Sequence, residues 1–315
     1  MPKARTCAIT INYKGADDTA ACVASLSQST VPVSIVVVDN TPNDPDLEKA
    51  LLPFLDDIKL IRAPENLGFG RGNNLGIDWA LANTDCEFIL IFNNDALVYP
   101  DTIARMEEAM DRHPEAAIVA PRILYKERPD LLWYGGGEVS WLRGAAKAPG
   151  ILGPSDAPLA MQERKVTFAS GCAMLLRRNV LQKLQGFDER FFMYEEDLEL
   201  CLRVLEHGWK IHYLPAALVL HAVQASTRGE ERFISMFASR NKNLSFYVYH
   251  LVRNRLINMR LHAKRVNKLI FVAGFGLMLI KHGLSWVLSG RWDGFAALFR
   301  AWRSYRACFR SGKSC

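Results

Sequence analysis

Short apolar runs that stop at a polar residue, alternating with helical patterns, constrain this chain more than any other feature. The runs are Cys7–Asn12 (CAITIN), Val33–Val38 (VSIVVV, closed by Asp39), Ile58–Arg62 and Phe88–Phe92 (FILIF, followed by Asn93-Asn94-Asp95). Between and after them, Ala16–Leu26, Asn73–Ala82 and Pro100–His113 carry helical patterns. Strands alternating with helices predict a mostly parallel sheet flanked by helices. Ligands of such sheets bind beyond the carboxyl ends of the strands, where the loops converge. Asn12, Asp39, Asn66 and Asn93-Asn94-Asp95 are therefore the first residues to consider.

The second half of the chain is less regular. Leu131–Met161, rich in Gly, Pro and Trp, reads as a long loop or small insertion. Val166–Leu176 returns to strand character, with Gly171 inside it, and a glycine there marks close approach of a ligand or another backbone. Glu195–His207 is an acidic-start helix stopped by Gly208, and Ile211–Leu214 and Leu218–His221 read as two closing strands. The seven cysteines form no CxxC pair. That argues against a zinc cluster and a secreted disulfide framework, and for a reducing compartment. The N-terminal segment shows no signal-peptide pattern.

Several constellations can carry chemistry. A carboxylate flanked by amides at a strand end, as in Asn93-Asn94-Asp95, can hold a hard divalent cation through oxygen. Asn66-Leu-Gly-Phe-Gly-Arg-Gly-Asn-Asn-Leu-Gly leads into a helix, and glycines at a helix start let backbone approach phosphate; the alternative is a flexible turn. The spacing is not the dinucleotide GxGxxG, so a nicotinamide site is not expected. Glu195-Glu196-Asp197 with Glu199 opens a helix. It either complements the helix dipole or, following the aromatic FFMY, places a carboxylate in an apolar wall where its pKa rises towards that of a general base. His221 ends LVLH and is either a structural histidine or a metal ligand.

The order VVVDN, ENLGFGRGNNLG, FNNDA, SGCAMLLRR, GFDERFFMYEEDLELCLR and LVLH resembles glycosyltransferase family 2, the GT-A fold, and its bacterial rhamnosyltransferase-like branch, over roughly residues 5–225. The resemblance implies an inverting transfer of a sugar, rhamnose among the candidates, from a dTDP- or UDP-sugar to a hydroxyl of a cell-envelope or lipid-linked glycan. It implies Asp39 as acceptor of the base imide N–H, and Asn12, Asn66, Arg71, Asn73, Asn93, Asn94 and Gly171 around the nucleotide-sugar. It implies Asp197 as catalytic base with Glu196 beside it, and Asp95 and His221 as ligands to Mg2+ or Mn2+. Asn93 stands where the family's DxD motif has its first aspartate.

Charge divides the chain. From Arg228 onwards there are 17 Lys/Arg against three acids, which leaves 22 basic and 30 acidic residues before it. A catalytic domain over 1–228 is expected, with a nucleotide-sugar half to about residue 98 and an acceptor half from 99. A basic amphipathic helical tail is expected over 229–315. Its most apolar segment, Leu269–Ile280, is shorter than the roughly 20 residues of a spanning helix, which suggests a helix lying on an anionic membrane surface, with Trp286, Trp292 and Trp302 at the interface. The expected place is cytoplasmic, on the inner face of the cell membrane, and nucleic acid is not an expected partner. The competing readings are a metal-dependent nucleotidyltransferase, which should carry a basic Gly-rich run directly after the first strand, and a non-catalytic nucleic-acid-binding protein, which leaves the acidic pocket residues unexplained.

Overall fold

The computed structural model describes residues 3–42, 44–223 and 236–309. The boundary expected at 228 and the expected limits of the helical tail, residues 229 and 315, lie outside the described residues.

The first half follows the alternation. Strands β1 (Thr6–Asn12), β2 (Val33–Asp39), β3 (Ile58–Arg62) and β4 (Phe88–Phe92) are joined by helices α1 (Ala16–Ser27), α2 (Pro45–Leu51) and α3 (Gly68–Asn83). β2 is a run of β-branched residues whose last five are all buried, as a central parallel strand requires. Helix α2 is started by Asp44, whose side chain accepts from the N–H groups of Asp46 and Leu47, with Pro45 at the first helical position. Helix α3 starts at Gly68, five residues earlier than the apolar pattern implies.

Strands β5 (Ala96–Val98), β6 (Ala116–Tyr125), β7 (Arg128–Tyr134), β10 (Arg164–Val166), β11 (Ala173–Arg177) and β12 (Lys210–His221) complete the sheet, with α4 (Thr102–Arg112), α5 (Arg178–Leu184) and α6 (Glu196–Glu206) around it. The order is β10-β12-β6-β11-β4-β1-β2-β3, with β5 paired to β12 and β7 to β6. The first half is parallel throughout, and antiparallel β11 joins it to the parallel pair β6–β12. Because β2 and β4 lie on opposite sides of β1, the chain reverses direction across the sheet there. The crevice opens at that switch point, beside Asn12, Asp39 and Asn93.

Three local expectations are corrected. The strand expected over Val166–Leu176 is two strands separated by a turn that holds Gly171. The two closing strands are one strand, β12, with a register shift between Leu214 and Leu218. Leu131–Met161 contains the end of β7 and a small hairpin, β8 (Glu138–Ser140) with β9 (Ala145–Lys147), which local periodicity is too short to reveal.

The basic region forms α7 (Leu244–His262), α8 (Arg265–Leu288) and α9 (Trp292–Cys308). Helix α8 corrects the length expectation. Apolar residues resume after Lys281-His282, and its 24 residues include an 18-residue window of mean hydropathy 1.6, so by length and composition it is able to cross a membrane. Its faces differ. Phe271, Phe275, Gly283 and Trp286 are buried against the protein, and Gly274 sits so close to Leu142 that a Cβ would lie 2.4 Å from Leu142 Cδ1. The other face leaves Leu269, Val272, Leu277, Ile280, Leu284 and Leu288 more than 60% exposed.

The end of α7 is tied to α6 by His262, whose ring nitrogens lie 3.3 Å from Glu199 and 2.8 Å from Glu206. Burial lowers the His262 pKa, but hydrogen bonds to the two carboxylates outweigh it and the net shift is upward. A raised folded-state pKa stabilises fully below the unfolded value of about 6.5 and is lost as pH rises through the folded value. His262→Gln should lower Tm by a few degrees at pH 6, roughly 2 °C per kcal/mol lost, and by clearly less at pH 9. Thermal unfolding of both proteins at the two pH values measures the difference.

Candidate active site

At the end of β2, Asp39 is buried. Its Oδ1 accepts from Asn12 Nδ2 at 3.0 Å and from the Thr41 N–H at 2.9 Å. Its Oδ2 is buried without a hydrogen bond, with Arg62 at 3.7 Å. A buried acceptor left open costs free energy until a donor meets it, so this oxygen suits an N–H of an incoming ligand. Asn12 also orders the loops around it. Its amide also meets Asp44 Oδ2, Gly15 N–H and Thr19 Oγ1, so both its ends are used in holding Asp39 and the start of α1. Beside it a cleft of about 730 Å3 is lined by Lys14, Gly15, Thr41 and Asp44, among others.

The glycine run opens helix α3 rather than forming a flexible turn. Asn66 Oδ1 accepts from the Gly68 N–H at 3.0 Å and Asn73 Nδ2 donates to Phe69 O, while Arg71 is exposed. Gly68, Gly72 and Gly76 repeat every four residues on one face of α3. A Cβ at Gly72 would meet Asn40 Nδ2 at 2.8 Å, and one at Gly76 would meet Ile9 Cγ2 at 2.4 Å. The glycines let the helix press onto β1 and the loop after β2. The four-residue spacing was the signal for this packing role. Asn74, not singled out from the sequence, exchanges two hydrogen bonds with Phe187 and so ties α3 to the loop before the acidic cluster.

After β4, Asn94 Nδ2 donates to Thr19 Oγ1, and the Asn93 N–H donates to Cys172 O. Asp95 Oδ1 lies 3.0 Å from His221 Nε2, both side chains nearly buried. The residues that the resemblance pairs as metal ligands are thus together, brought there by the β5–β12 pairing of Ala96 with His221. The Trp133 ring stands edge-on to the His221 ring at 4.5 Å. A carboxylate oxygen and an imidazole nitrogen at this separation fit a shared divalent cation. A second group, His113, Glu115 and His212, also has ligand atoms within 4.8 Å of one another. It sits at the opposite end of β12, nine residues and roughly 30 Å of strand from His221, so it is not part of this site.

The turn at Gly171 carries the chemistry on. Its N–H donates to Asp197 Oδ2 at 3.0 Å, and the Leu198 N–H donates to Oδ1 at 2.8 Å. The close approach at Gly171 is to Phe69 and Asp197, where a Cβ would lie 3.0 and 3.5 Å away. Burial raises the pKa of Asp197 above its ordinary value, against the pull of those N–H groups. Glu196 is raised well above its own by burial and by the Asp197 charge, and its buried Oε2 has no partner. Glu196 is pushed up further because the Asp197 charge opposes its own, while the two N–H donors favour the charged form of Asp197.

Leading into the cluster, Tyr194 and Glu195 both have left-handed backbone, φ 69° and 68°, which costs about 1–3 kcal/mol each for a non-glycine residue. Helix α7 holds them there. Asn254 Nδ2 donates to Met193 O at 2.9 Å and Tyr194 O at 2.7 Å, Asn258 Nδ2 to Glu195 O at 3.2 Å, and Arg255 Nε to Glu195 Oε1 at 2.9 Å. Arg253 reaches Arg190 O at 2.9 Å. None of these residues was singled out from the sequence.

With this geometry in view, the comparisons with known proteins decide the family. The profile described as "Glycosyl transferase family 2" matches residues 7–185. The chain belongs to glycosyltransferase family 2. It is 32% identical over 227 residues to the N-acetylglucosaminyl-diphospho-decaprenol L-rhamnosyltransferase of Mycobacterium tuberculosis, covering 65% of this chain and 72% of that protein. It is 26% identical to the low-salt glycan biosynthesis hexosyltransferase Agl10 of Haloferax volcanii, covering 79% and 73%. The mannosyltransferase PcManGT of Pyrobaculum calidifontis, solved with GDP-Man and Mn2+, superposes with a TM-score of 0.55 at 15% identity, over 99% of this chain and 77% of its own. GalNAc-T7, solved with UDP, GalNAc and Mn2+, gives 0.57 at 15% identity, over 89% and 56%. The fold is the GT-A fold, and the chain is a rhamnosyltransferase-like glycosyltransferase.

Gly68 joins the two halves of this glycosyltransferase site. Its φ is +76°, and a Cβ would lie 2.0 Å from Phe192 O, the oxygen that accepts the Phe69 N–H. Gly68→Ala should destabilise by about 2–3 kcal/mol, from overpacking and backbone strain. It should also lower kcat, because the loop it displaces leads into Asp197. Denaturant unfolding and steady-state kinetics on the one variant check both.

Proposed function

We propose that this enzyme transfers a sugar of the rhamnose class, with inversion, from a dTDP- or UDP-sugar to a hydroxyl of a lipid-linked glycan at an anionic membrane surface. The observation that carries the reading is the placement of Asp197, held by the N–H groups of Gly171 and Leu198 at the start of α6. The acceptor hydroxyl must lose its proton as its oxygen attacks the anomeric carbon from the face opposite the leaving diphosphate. Asp197 takes that proton. Asp39 Oδ2 receives the imide N–H of the base, which fits uracil and thymine alike. Asp95 and His221 would hold Mg2+ or Mn2+, which as a Lewis acid neutralises charge on the leaving diphosphate. The acceptor class is supported by the name of the mycobacterial relative.

Membrane association is supported by the outer face of α8, where large apolar residues stand free beside exposed Lys264, Arg265, Lys268 and Lys281. The inner face is packed on the protein, which favours a helix lying in the headgroup plane over one that crosses. A donor made in the cytoplasm would set this surface on the inner face of the cell membrane.

Asp197→Asn should leave donor binding within about twofold and reduce transfer at least 10²-fold. Nucleoside-diphosphate release beside donor titration measures the two, and near-normal turnover would move the base to another residue. In the wild type, kcat/KM should fall on the acid side as Asp197 gains a proton, at a pH above that of an ordinary aspartate because burial raises it. Asp95→Ala should abolish Mn2+ binding in calorimetry, and unchanged Mn2+ affinity would leave the Asp95–His221 pair a structural one.

A further inference from the structure

Far from the crevice, the end of α4 and the start of β6 meet β12, and three side chains with metal-binding atoms converge there. His113 follows the last residue of α4, Glu115 precedes β6, and His212 stands on β12. One ligand atom from each lies within 4.8 Å of the others. Glu115 Oε1 is 3.3 Å from His212 Nε2 and 4.0 Å from His113 Nδ1. Ligand atoms on a tetrahedral ion with bonds of about 2.0–2.1 Å stand roughly 3.4 Å apart, so small side-chain rotations close the triangle.

Two observations set this group apart from a surface ion pair. His212 is only 4% exposed, and its Nε2 is buried without a hydrogen bond. A buried nitrogen left open costs free energy, which an ion held between it and Glu115 offsets. Second, His113 Nε2 lies 3.1 Å from Glu163 Oε1. A carboxylate on one ring nitrogen fixes the proton there and leaves the lone pair on the other, Nδ1, the nitrogen that approaches Glu115. Metal-bound histidines carry this outer partner as a rule.

The backbone under the ligands is fixed. The His113 N–H donates to Ala109 O at 3.0 Å, the His113 carbonyl accepts from the Ala116 N–H at 2.9 Å, and Glu115 O accepts from the Lys210 N–H at 3.1 Å. The two imidazole rings stack at 4.1 Å. Coordination opens that stack slightly, because two imidazoles on one tetrahedral ion stand further apart. Lys165 is the cation now at Glu115 Oε1, at 3.2 Å, and its side chain is 59% exposed, so it can swing into solvent.

We infer that His113, Glu115 and His212 bind a divalent ion of the zinc class, with water completing the shell. Two imidazoles and one carboxylate favour Zn2+ over Mg2+ and Ca2+, which take oxygen ligands. His212 stands nine residues from His221 along β12. The ion therefore clamps α4 and β6 to β12 without entering the transfer chemistry.

The test titrates Zn2+ by calorimetry into the Asp95→Ala protein, in which the proposed catalytic pair is broken. The same titration is made with Glu115→Gln, His113→Gln, Glu163→Gln or Lys165→Gln added. The parent should bind Zn2+ and gain roughly 5 °C in Tm at 100 times Kd. His113→Gln and Glu115→Gln should each weaken binding at least tenfold, and Glu163→Gln about tenfold. Lys165→Gln, which removes the competing cation, should tighten it at least twofold. Glu115 and Lys165 are exposed, so these two variants read the site even if a change at His113 unfolds the protein. No Zn2+ binding by the parent, equal affinity in Glu115→Gln, or Mg2+ bound as tightly as Zn2+ would each overturn the assignment. Should Asp95→Ala fail to fold, the wild type decides it: Glu115→Gln should lose one bound Zn2+, and an unchanged count overturns the site.

Discussion

The site depends on a short strained segment, residues 190–197, being held in place from outside the sheet. Tyr194 and Glu195 occupy a backbone region that non-glycine residues avoid, and burial presses on the carboxyls that follow. Nothing within the segment offsets those costs. The amides of Asn254 and Asn258 and the guanidiniums of Arg253 and Arg255 do, each bonding to a carbonyl or carboxylate of that segment. Helix α7 therefore positions the segment that carries the proposed base, as well as opening the basic region. The same helix packs on α9 through Ser304, which accepts from Arg253 Nε at 2.9 Å and from the Tyr249 hydroxyl at 3.2 Å. The helices of the basic region and the segment that carries Asp197 thus share one support.

On the opposite side the segment leans on α3. Gly68 approaches Phe192, Asn74 is bonded to Phe187, and the Phe69 and Phe187 rings meet edge-on at 5.7 Å. Helix α3 and helix α7 therefore meet at one loop. The Asp39 oxygen left open at one end of the crevice, the Asp95–His221 pair at its middle and Asp197 beyond Gly171 are set by strand register and by a few backbone hydrogen bonds. A device of this kind needs no protein nucleophile, only a base and charge neutralisation placed in advance.

Much of this was legible in the residues. The β-branched runs named the strands, and the polar residue ending each run marked the crevice, because a buried parallel strand has a period that any reader can see. Asp95 and His221 were paired by resemblance, and the structure sets their ligand atoms together. What stayed hidden was long-range. Asn254 and Asn258 sit in a helix whose charge pattern suggests only a membrane surface, and their partners are 60 to 63 residues away in sequence. The role of the glycines depended on knowing which face of α3 meets the sheet. The length of α8 was masked by Lys281-His282, two polar residues that interrupt an apolar pattern without ending a helix.

The dependence of Asp197 on α7 is the central claim, and the kinetics of Asn254→Leu test it most directly. Leucine keeps the volume and removes the amide that donates to Met193 O and Tyr194 O. With the variant shown to be folded by circular dichroism, kcat should fall by about 10²-fold while donor KM stays put, because a misplaced base costs rate and not donor affinity. A variant that unfolds at lower temperature yet turns over at the wild-type kcat would contradict the account and reduce α7 to a structural prop.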